Sequence, residues 1–495
     1  MKKESGQITV FFSLVLLLLV SLVFTLLESA RSEGIALRVK TAANSCIESV
    51  FAQYDRVLWN EYGLLFFADR YGDAAEVSEE AKKYAERNSG EDWLMFNAES
   101  VELQKYVLAT DAQGAVFEQA VADYMRGSGL AEAALSMGEE AAGAIEEMNI
   151  SEEGSSEFDF SDIQSRIDDL QEKMNEAEES EEESEEDGEE QEPDDEGYGN
   201  AGRVKAMEIF LSLKDTFGSF RKKGLLMLVC EDVSSISDRP YDKKDFPSGI
   251  SSEAKKRSAS MIEEPSLIDD ILMKEYFLRK FSSYTDGDRE FMELEYIICG
   301  KDSALSNLYS VVKRLVALRF ALNYLTIHND KEKCDIAKLI GTVLVGWTGM
   351  EALVEAVKEV VLLIWALVES VSDVKALLNG EKVPPFKKGN SWSVSIDEAA
   401  AGNVSGKGKW EGWNYEQYLR ILVYLTGCEK SAYRAMDVIQ KKTKEKEPSF
   451  LMKNCVYGTK IRLSGTSEAF FPYLPGTVDY RFSAETAYSY GKVAF

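Results

Sequence analysis

The hydrophobic pattern changes character twice within the first sixty residues. From Gln7 to Leu27 (QITVFFSLVLLLLVSLVFTLL), 21 residues pass without a charge, a glycine or a proline. At 1.5 Å per residue this is about 30 Å of helix, the thickness of a bilayer's hydrocarbon core. From Ile35 the apolar positions thin out to Ile35, Val39, Ala42, Ala43, Cys46, Ile47, Val50, Phe51, Tyr54, Val57 and Leu58, with Arg, Lys, Glu and Asp between them. That i, i+3, i+4 spacing predicts a helix with one face on a folded core. A transmembrane helix over residues 7–28 is therefore expected to run on for about 30 residues as an amphipathic helix.

Beyond it the elements are shorter. Tyr62–Asp69 (YGLLFFAD) is a compact apolar run that predicts a buried strand, and Asp73–Asn88 a polar helix. Val101, Leu103, Tyr106 and Leu108 mark a strand; helices follow from Asp111 to about Met125 and over residues 130–148. Val204–Phe217 and Ser266–Phe281 have helical spacing, whereas Gly224–Glu231 is strand-like and Leu294–Cys299 is another short apolar run. Asp302 is expected to cap a long helix that keeps Leu308, Val311, Leu315, Leu318, Leu322 and Leu325 on one face.

Residues 336–378 are the second most hydrophobic stretch. Only 12 uncharged residues separate Lys338 from Glu351, and nine separate Glu359 from Glu369. Both are short of the ~20 a span needs, so buried core helices are expected. Trp392, Val394 and Ile396 alternate as in a strand. Tyr415, Tyr418, Leu419, Leu422 and Val423 line a helix, another continues to about Lys442, and the Tyr- and Thr-rich tail reads as β. The expected fold class is α+β, predominantly helical, with a helical core over 302–380 and a β-rich tail over 455–490.

Charge divides the chain further. Of the formal net charge of −30, residues 151–200 carry −21, from 23 acids and two bases. The run from Glu176 to Glu196 is nearly all Glu, Asp and Ser, ending near Pro193 and Gly197. Such a block repels itself and buries little, so a disordered acidic linker or insertion is expected over 151–200, with calcium capture as the lesser reading. This sets out a leader (1–6), an anchor (7–28), an N-terminal α+β part (29–150) and a C-terminal α+β part (201–495). Outside the acidic stretch no basic patch could track a nucleic-acid backbone, which argues against nucleic acid as a partner.

Candidate chemistry is sparse. There is no P-loop, HExxH or GxSxG, and the one histidine, His328, excludes a multi-His metal site. The expectation is no catalytic residue, no cofactor and no metal; carboxylate pairs are too plentiful to be diagnostic of a glycosidase. Six scattered cysteines read as buried small hydrophobes, with disulfides left open. No small-x-small cleavage site follows the apolar block; Ala30-Arg31-Ser32 comes nearest. Within the block, Thr9/Ser13 and Ser21/Thr25 lie four apart and share helix faces. They either let another membrane helix approach or bond back to their own carbonyls. Three cations on each side of the block leave orientation by charge nearly tied.

Gly6, the apolar helix after it, Leu27-Glu28-Ser29-Ala30-Arg31 and the amphipathic extension together resemble the start of the TadE/TadG-like minor pilins of tight-adherence (Tad) pili. The resemblance implies prepilin cleavage between Gly6 and Gln7, although Phe11 stands where that family has a glutamate. Further motifs are Tyr54-Asp55-Arg56-Val57-Leu58-Trp59-Asn60-Glu61-Tyr62-Gly63, and Cys299-Gly300-Lys301-Asp302-Ser303 with Arg314 and Arg319. Glu369-Ser370, Asp373 and Tyr415-Glu416-Gln417-Tyr418 complete the set. Together they resemble an uncharacterised bacterial family of single-pass envelope proteins associated with Tad-type pilus genes. The implied protein is a non-enzymatic, pseudopilin-like component of the cell membrane, its N-terminus cytoplasmic and its bulk extracytoplasmic. Its partners would be membrane lipid and other membrane or pilus-assembly proteins. The alternatives are a membrane-tethered extracellular binding module and, third, a carboxylate-based hydrolase.

Overall fold

A computed structural model describes residues 4–150, 156–185, 200–388, 391–406, 411–470 and 479–495. The apolar block and the amphipathic stretch form one helix, α1 (Glu4–Phe51), with no break at their join. Its side chains are exposed from Gln7 to Leu27, apart from a half-covered Ser21; from Glu28 onward one face is buried. Ile35, Val39, Ala42, Ala43, Cys46, Ile47, Val50 and Phe51 make that face, as their spacing predicts. The helix stops at Phe51, short of the expected Leu58. Asp55 then takes the N–H of Leu58 on its carboxylate at 2.8 Å and starts a separate turn.

Contacts divide the chain into two interleaved units, the first being Met1–Ala134, Lys243–Met273 and Ala432–Phe495 and the second Leu135–Asp242 and Lys274–Ser431. The division does not fall at the acidic stretch. In the first unit, β1 (Phe67–Ala68), α2 (Ala75–Arg87), β2 (Asn97–Leu108) and α3 (Ala115–Gly127) precede β3 (Cys455–Glu468) and β4 (Asp479–Ser489). The sheet is antiparallel with β3 at its centre. On one side β2 pairs with it (Val101 opposite Leu463); on the other are β4 (Ala484 opposite Leu463) and, further along, β1. Helix α1 lies on this sheet, and Phe67, Phe96, Leu108, Val456, Ile461 and Leu463 complete the core around its buried face.

The second unit is helical: α4 (Ser161–Glu185), α5 (Asn200–Lys223), α6 (Glu293–Cys299), α7 (Ala304–His328), α8 (Lys331–Val345), α9 (Glu351–Leu378) and α10 (Tyr415–Tyr424). Helix α9 is its axis and packs on α4, α5, α7 and α8. From Val360 to Val374 every residue of α9 is buried, which answers the membrane question for this stretch. Among the described residues one helix is long and apolar enough to cross a membrane, and it is α1.

Several expectations need correction. Tyr62–Asp69 holds only the two-residue β1, because Leu58–Tyr62 winds into a π-helical turn ahead of it. Gly224–Glu231 contains a helix, Leu225–Val229, and Leu294–Cys299 belongs to α6. An apolar run this short has the same periodicity in either state, and burial on all sides accepts both. Trp392, Val394 and Ile396 do not form a strand: the carbonyl of Val394 instead accepts the Trp365 indole N–H at 2.8 Å, and Ile396 opens a short helix. Ser303, not Asp302, caps α7. Residues 161–185 of the acidic stretch form α4, with Ile163, Ile167, Leu170 and Ala177 buried. Those residues fall four, three and seven apart, on one helix face, so the acids stay on the wet face. The end of the acidic run, with Pro193 and Gly197, lies outside the described residues, as does the leader before Glu4.

Candidate functional site

Three places gather the singled-out motifs. The first is the join between the apolar half of α1 and the first unit. Arg31 and Glu28 are both buried and paired at 3.2 Å, one helical turn apart. The Arg31 guanidinium also donates to the carbonyl of Trp93 (2.6 Å), the carbonyl of Glu468 (2.9 Å) and the hydroxyl of Ser467 (3.1 Å). Glu28 accepts the Phe470 N–H at 3.2 Å. The end of β3 and the loop before β2 thus close on α1 where its exposed stretch ends. That loop is seated twice more. Leu94 lies over Gly34, where a Cβ would come within 2.9 Å of its side chain, and Arg38 pairs with Asp92, one bond being 3.0 Å.

The candidate residues of the apolar stretch all lie on α1. Gly6 and Gln7 lie within the first turn of the helix. Ser13 donates to the carbonyl of Val10 (2.8 Å), Ser21 to Leu18 (3.0 Å) and Thr25 to Ser21 (2.8 Å). The hydroxyls of Ser13, Ser21 and Thr25 are satisfied within the helix, which leaves a small, non-polar-acting surface at those positions.

The second place is a buried ionic network in the second unit. Arg319 on α7 donates to Asp373 on α9 (3.1 Å), to the carbonyls of Pro384 and Pro385 (3.1 and 2.8 Å) and to the Tyr418 hydroxyl (3.0 Å). Lys387 reaches both Glu369 and Asp373, the latter at 2.6 Å. Glu369 also accepts the N–H groups of Ser393 and Val394, both at 2.8 Å. Burial alone would raise the Asp373 carboxyl, but Lys387 and Arg319 outweigh it and hold it below its ordinary value. Two cations meet two carboxylates, and each charge is bonded to the others or to backbone. The network braces α7, α9 and α10 rather than offering a reactive group.

The third place is a cavity of about 410 Å³ in the first unit, lined by Trp59, Tyr124, Tyr457, Tyr490 and Asp123 among others. Trp59 comes from the π-helical turn, a device that recurs at functional sites. Gly63 closes the turn at φ 71°, and a Cβ there would lie 2.0 Å from the Tyr124 ring. Only glycine lets that ring close against the chain here. The Tyr457 hydroxyl faces Asp123 at 3.4 Å, and Tyr490 donates to the carbonyl of Phe51 at 2.6 Å. Burial raises both phenols, so they stay protonated donors; burial also raises Asp123, against the pull of Arg126. The lining holds one carboxylate, where glycoside hydrolysis uses two.

The sequence motifs foreshadowed these places unevenly. Glu28, Arg31, Trp59, Gly63, Arg319, Glu369, Asp373 and Tyr418 lie in quoted motifs. Lys387, Tyr457 and Asp123 carry no local signal, because each meets its partners only through folding; Asn323, one turn after Arg319 on α7, bonds both Arg319 (3.0 Å) and Asp373 (2.9 Å). His328, at the end of α7, bonds Glu359 at 3.1 Å and stands apart from all three. Four of the six cysteines (Cys46, Cys230, Cys299 and Cys455) are buried, as small hydrophobes would be.

A model of a family of unknown function, DUF5702, matches residues 210–467, more than half of the chain. The matched segment includes the whole ionic network and all of β3 but its last residue; α1 and Trp59 lie before it. No curated protein and no solved structure matches the chain.

Proposed function

We propose that this chain, which belongs to the DUF5702 family of unknown function, is a non-enzymatic component of the cell envelope held in the membrane by α1. The N-terminus is cytoplasmic and both units are extracytoplasmic. The observation that carries this reading is the abrupt change along one unbroken helix: exposed and uncharged from Gln7 to Leu27, buried against the first unit from Glu28. A signal sequence needs no such continuity with a core, whereas an anchor that positions a domain does. The Arg31 clamp makes the join stiff, since four of its contacts come from chain outside α1 or from the opposite carboxylate.

The finer part of the proposal is a pseudopilin-like role in a Tad-type pilus or secretion apparatus, docking through the Thr9/Ser13 and Ser21/Thr25 faces. It rests on the resemblance of the N-terminal segment and on the long helix shared by membrane and core. Protease added to intact cells should digest both units, and alkaline extraction should leave the protein in the membrane. Mass spectrometry of the mature N-terminus should find Gln7; an intact Met1 argues against processing. Crosslinking from membranes should recover pilus ATPase or platform proteins. Release by alkaline wash or protection from protease would overturn the anchored reading itself.

A second reading, a membrane-tethered extracellular binding module, is favoured by the aromatic cavity at Trp59. Crosslinks only to a cell-wall or host ligand, with no pilus protein recovered, would select it.

A further inference from the structure

The surface around the end of the apolar stretch carries its own apolar groups. Trp93, Met95 and Phe470 are 52%, 51% and 59% exposed. Such large side chains are ordinary when scattered, but these three are tied to one spot. Trp93 gives its carbonyl to Arg31, Met95 gives its carbonyl to Ser467 at 2.9 Å, and Phe470 gives its N–H to Glu28. The Arg31 guanidinium lies 5.9 Å from the centre of the Phe470 ring. Their backbones are therefore fixed around α1 at the level of residues 28–31, with Leu26 and Leu27 exposed just before.

Helix geometry gives that level a meaning. If Gln7–Leu27 fills the hydrocarbon core, Arg31 stands about 6 Å beyond its edge, at 1.5 Å per residue. The headgroup layer on each side is roughly 5–7 Å deep, so the three side chains lie within it. Tryptophan is at home at that depth, its ring in the apolar edge and its indole N–H toward water, and the phenylalanine and methionine add apolar surface beside it. We infer that Trp93, Met95 and Phe470 form a collar that inserts into the interfacial layer of the bilayer and seats the first unit on the lipid. The inference rests on the anchored reading and adds to it: the anchor sets position, and the collar sets depth and tilt. Glu91, Asp92 and Glu468 beside the collar are acidic, so the contact is apolar rather than a capture of anionic lipid.

The test uses the full-length protein in phosphatidylcholine nanodiscs whose acyl chains carry bromine, which quenches indole on contact. Bromine near the headgroup end should quench part of the tryptophan emission, and deep bromine much less. Trp93→Phe should abolish the shallow quenching, Trp59→Phe should keep it, and Phe470→Trp in the Trp93→Phe background should restore it. Adding phosphatidylserine or salt should change none of this. Quenching that is the same in wild type and Trp93→Phe, with the protein properly inserted, overturns the collar while leaving the anchor intact. A photo-crosslinker at position 93 that captures a second copy or another protein in place of lipid also overturns it. Failure to enter the nanodisc removes the anchor and the collar together.

Discussion

At the scale of single residues, the most consequential group outside the proposed membrane contact is Glu295. It is wholly buried on α6; one carboxylate oxygen accepts the Tyr284 N–H (2.8 Å) and the Tyr415 hydroxyl (2.9 Å), and the other has no hydrogen-bond partner. Burial pushes the carboxyl from 4.5 up to about 7. The folded chain thus keeps a proton that the unfolded chain releases above pH 4.5. This contribution is present in full below that pH, falls as pH rises, and is gone above about 7. A shift of this size corresponds to roughly 3 kcal/mol. Glu295→Gln should flatten the decline, so that denaturant midpoints of wild type and variant diverge between pH 4.5 and 7. Parallel curves would show that the carboxyl does not titrate there. Nothing in the local sequence separates Glu295 from Glu293 two residues earlier; only the packing of Tyr415 against it does.

At the scale of elements, α1 does two jobs with two halves. Ile47 has no exposed surface and packs in the core with the sheet, whereas Leu17 faces outward. Ile47→Ala should destabilise the first unit by about 2–5 kcal/mol, and Leu17→Ala should leave its unfolding unchanged. Unfolding in detergent, followed by the fluorescence of the first unit, reads both. The halves were legible because each follows one period for several turns. The short runs at Gly224–Glu231 and Leu294–Cys299 were not, since six to eight apolar residues fit a helix or a strand equally. In α4 the average charge hid the apolar positions Ile163, Ile167 and Leu170, which a period-by-period reading of the acidic stretch would have exposed. The π-helical turn at Leu58–Tyr62 left only Gly63 as a signal, and that glycine is readable in retrospect as the one residue able to face Tyr124.

At the scale of the whole molecule, each unit is assembled from segments far apart in sequence. The first closes its sheet with β3 and β4, more than 300 residues after β2. The second encloses charges that only make sense together. Arg319→Met leaves Asp373 and the neighbouring Asn323 short of a partner in a dry core, and should cost about 3–5 kcal/mol. Thermal unfolding followed by circular dichroism should show the loss. A variant as stable as wild type would mean that water reaches the network. A double change that also replaces Asp373 by an apolar residue would recover part of the loss only if the pair itself is the cause.

The amino-acid order by itself determined the features that depend on near neighbours. These are the uncharged span from Gln7 to Leu27, the buried stripe from Ile35 to Phe51, the acidic stretch, and the exclusion of 336–378 as a second span. Each is a matter of spacing or charge within a few turns of chain, and side-chain period carries that information directly. Tertiary structure alone decided where the two units divide, which strand is central, which short apolar runs coil, and that Lys387, Asp123 and Tyr457 complete sites begun elsewhere. Those outcomes depend on contacts between segments from over a dozen to several hundred residues apart, and a one-dimensional pattern holds no record of which buried face meets which.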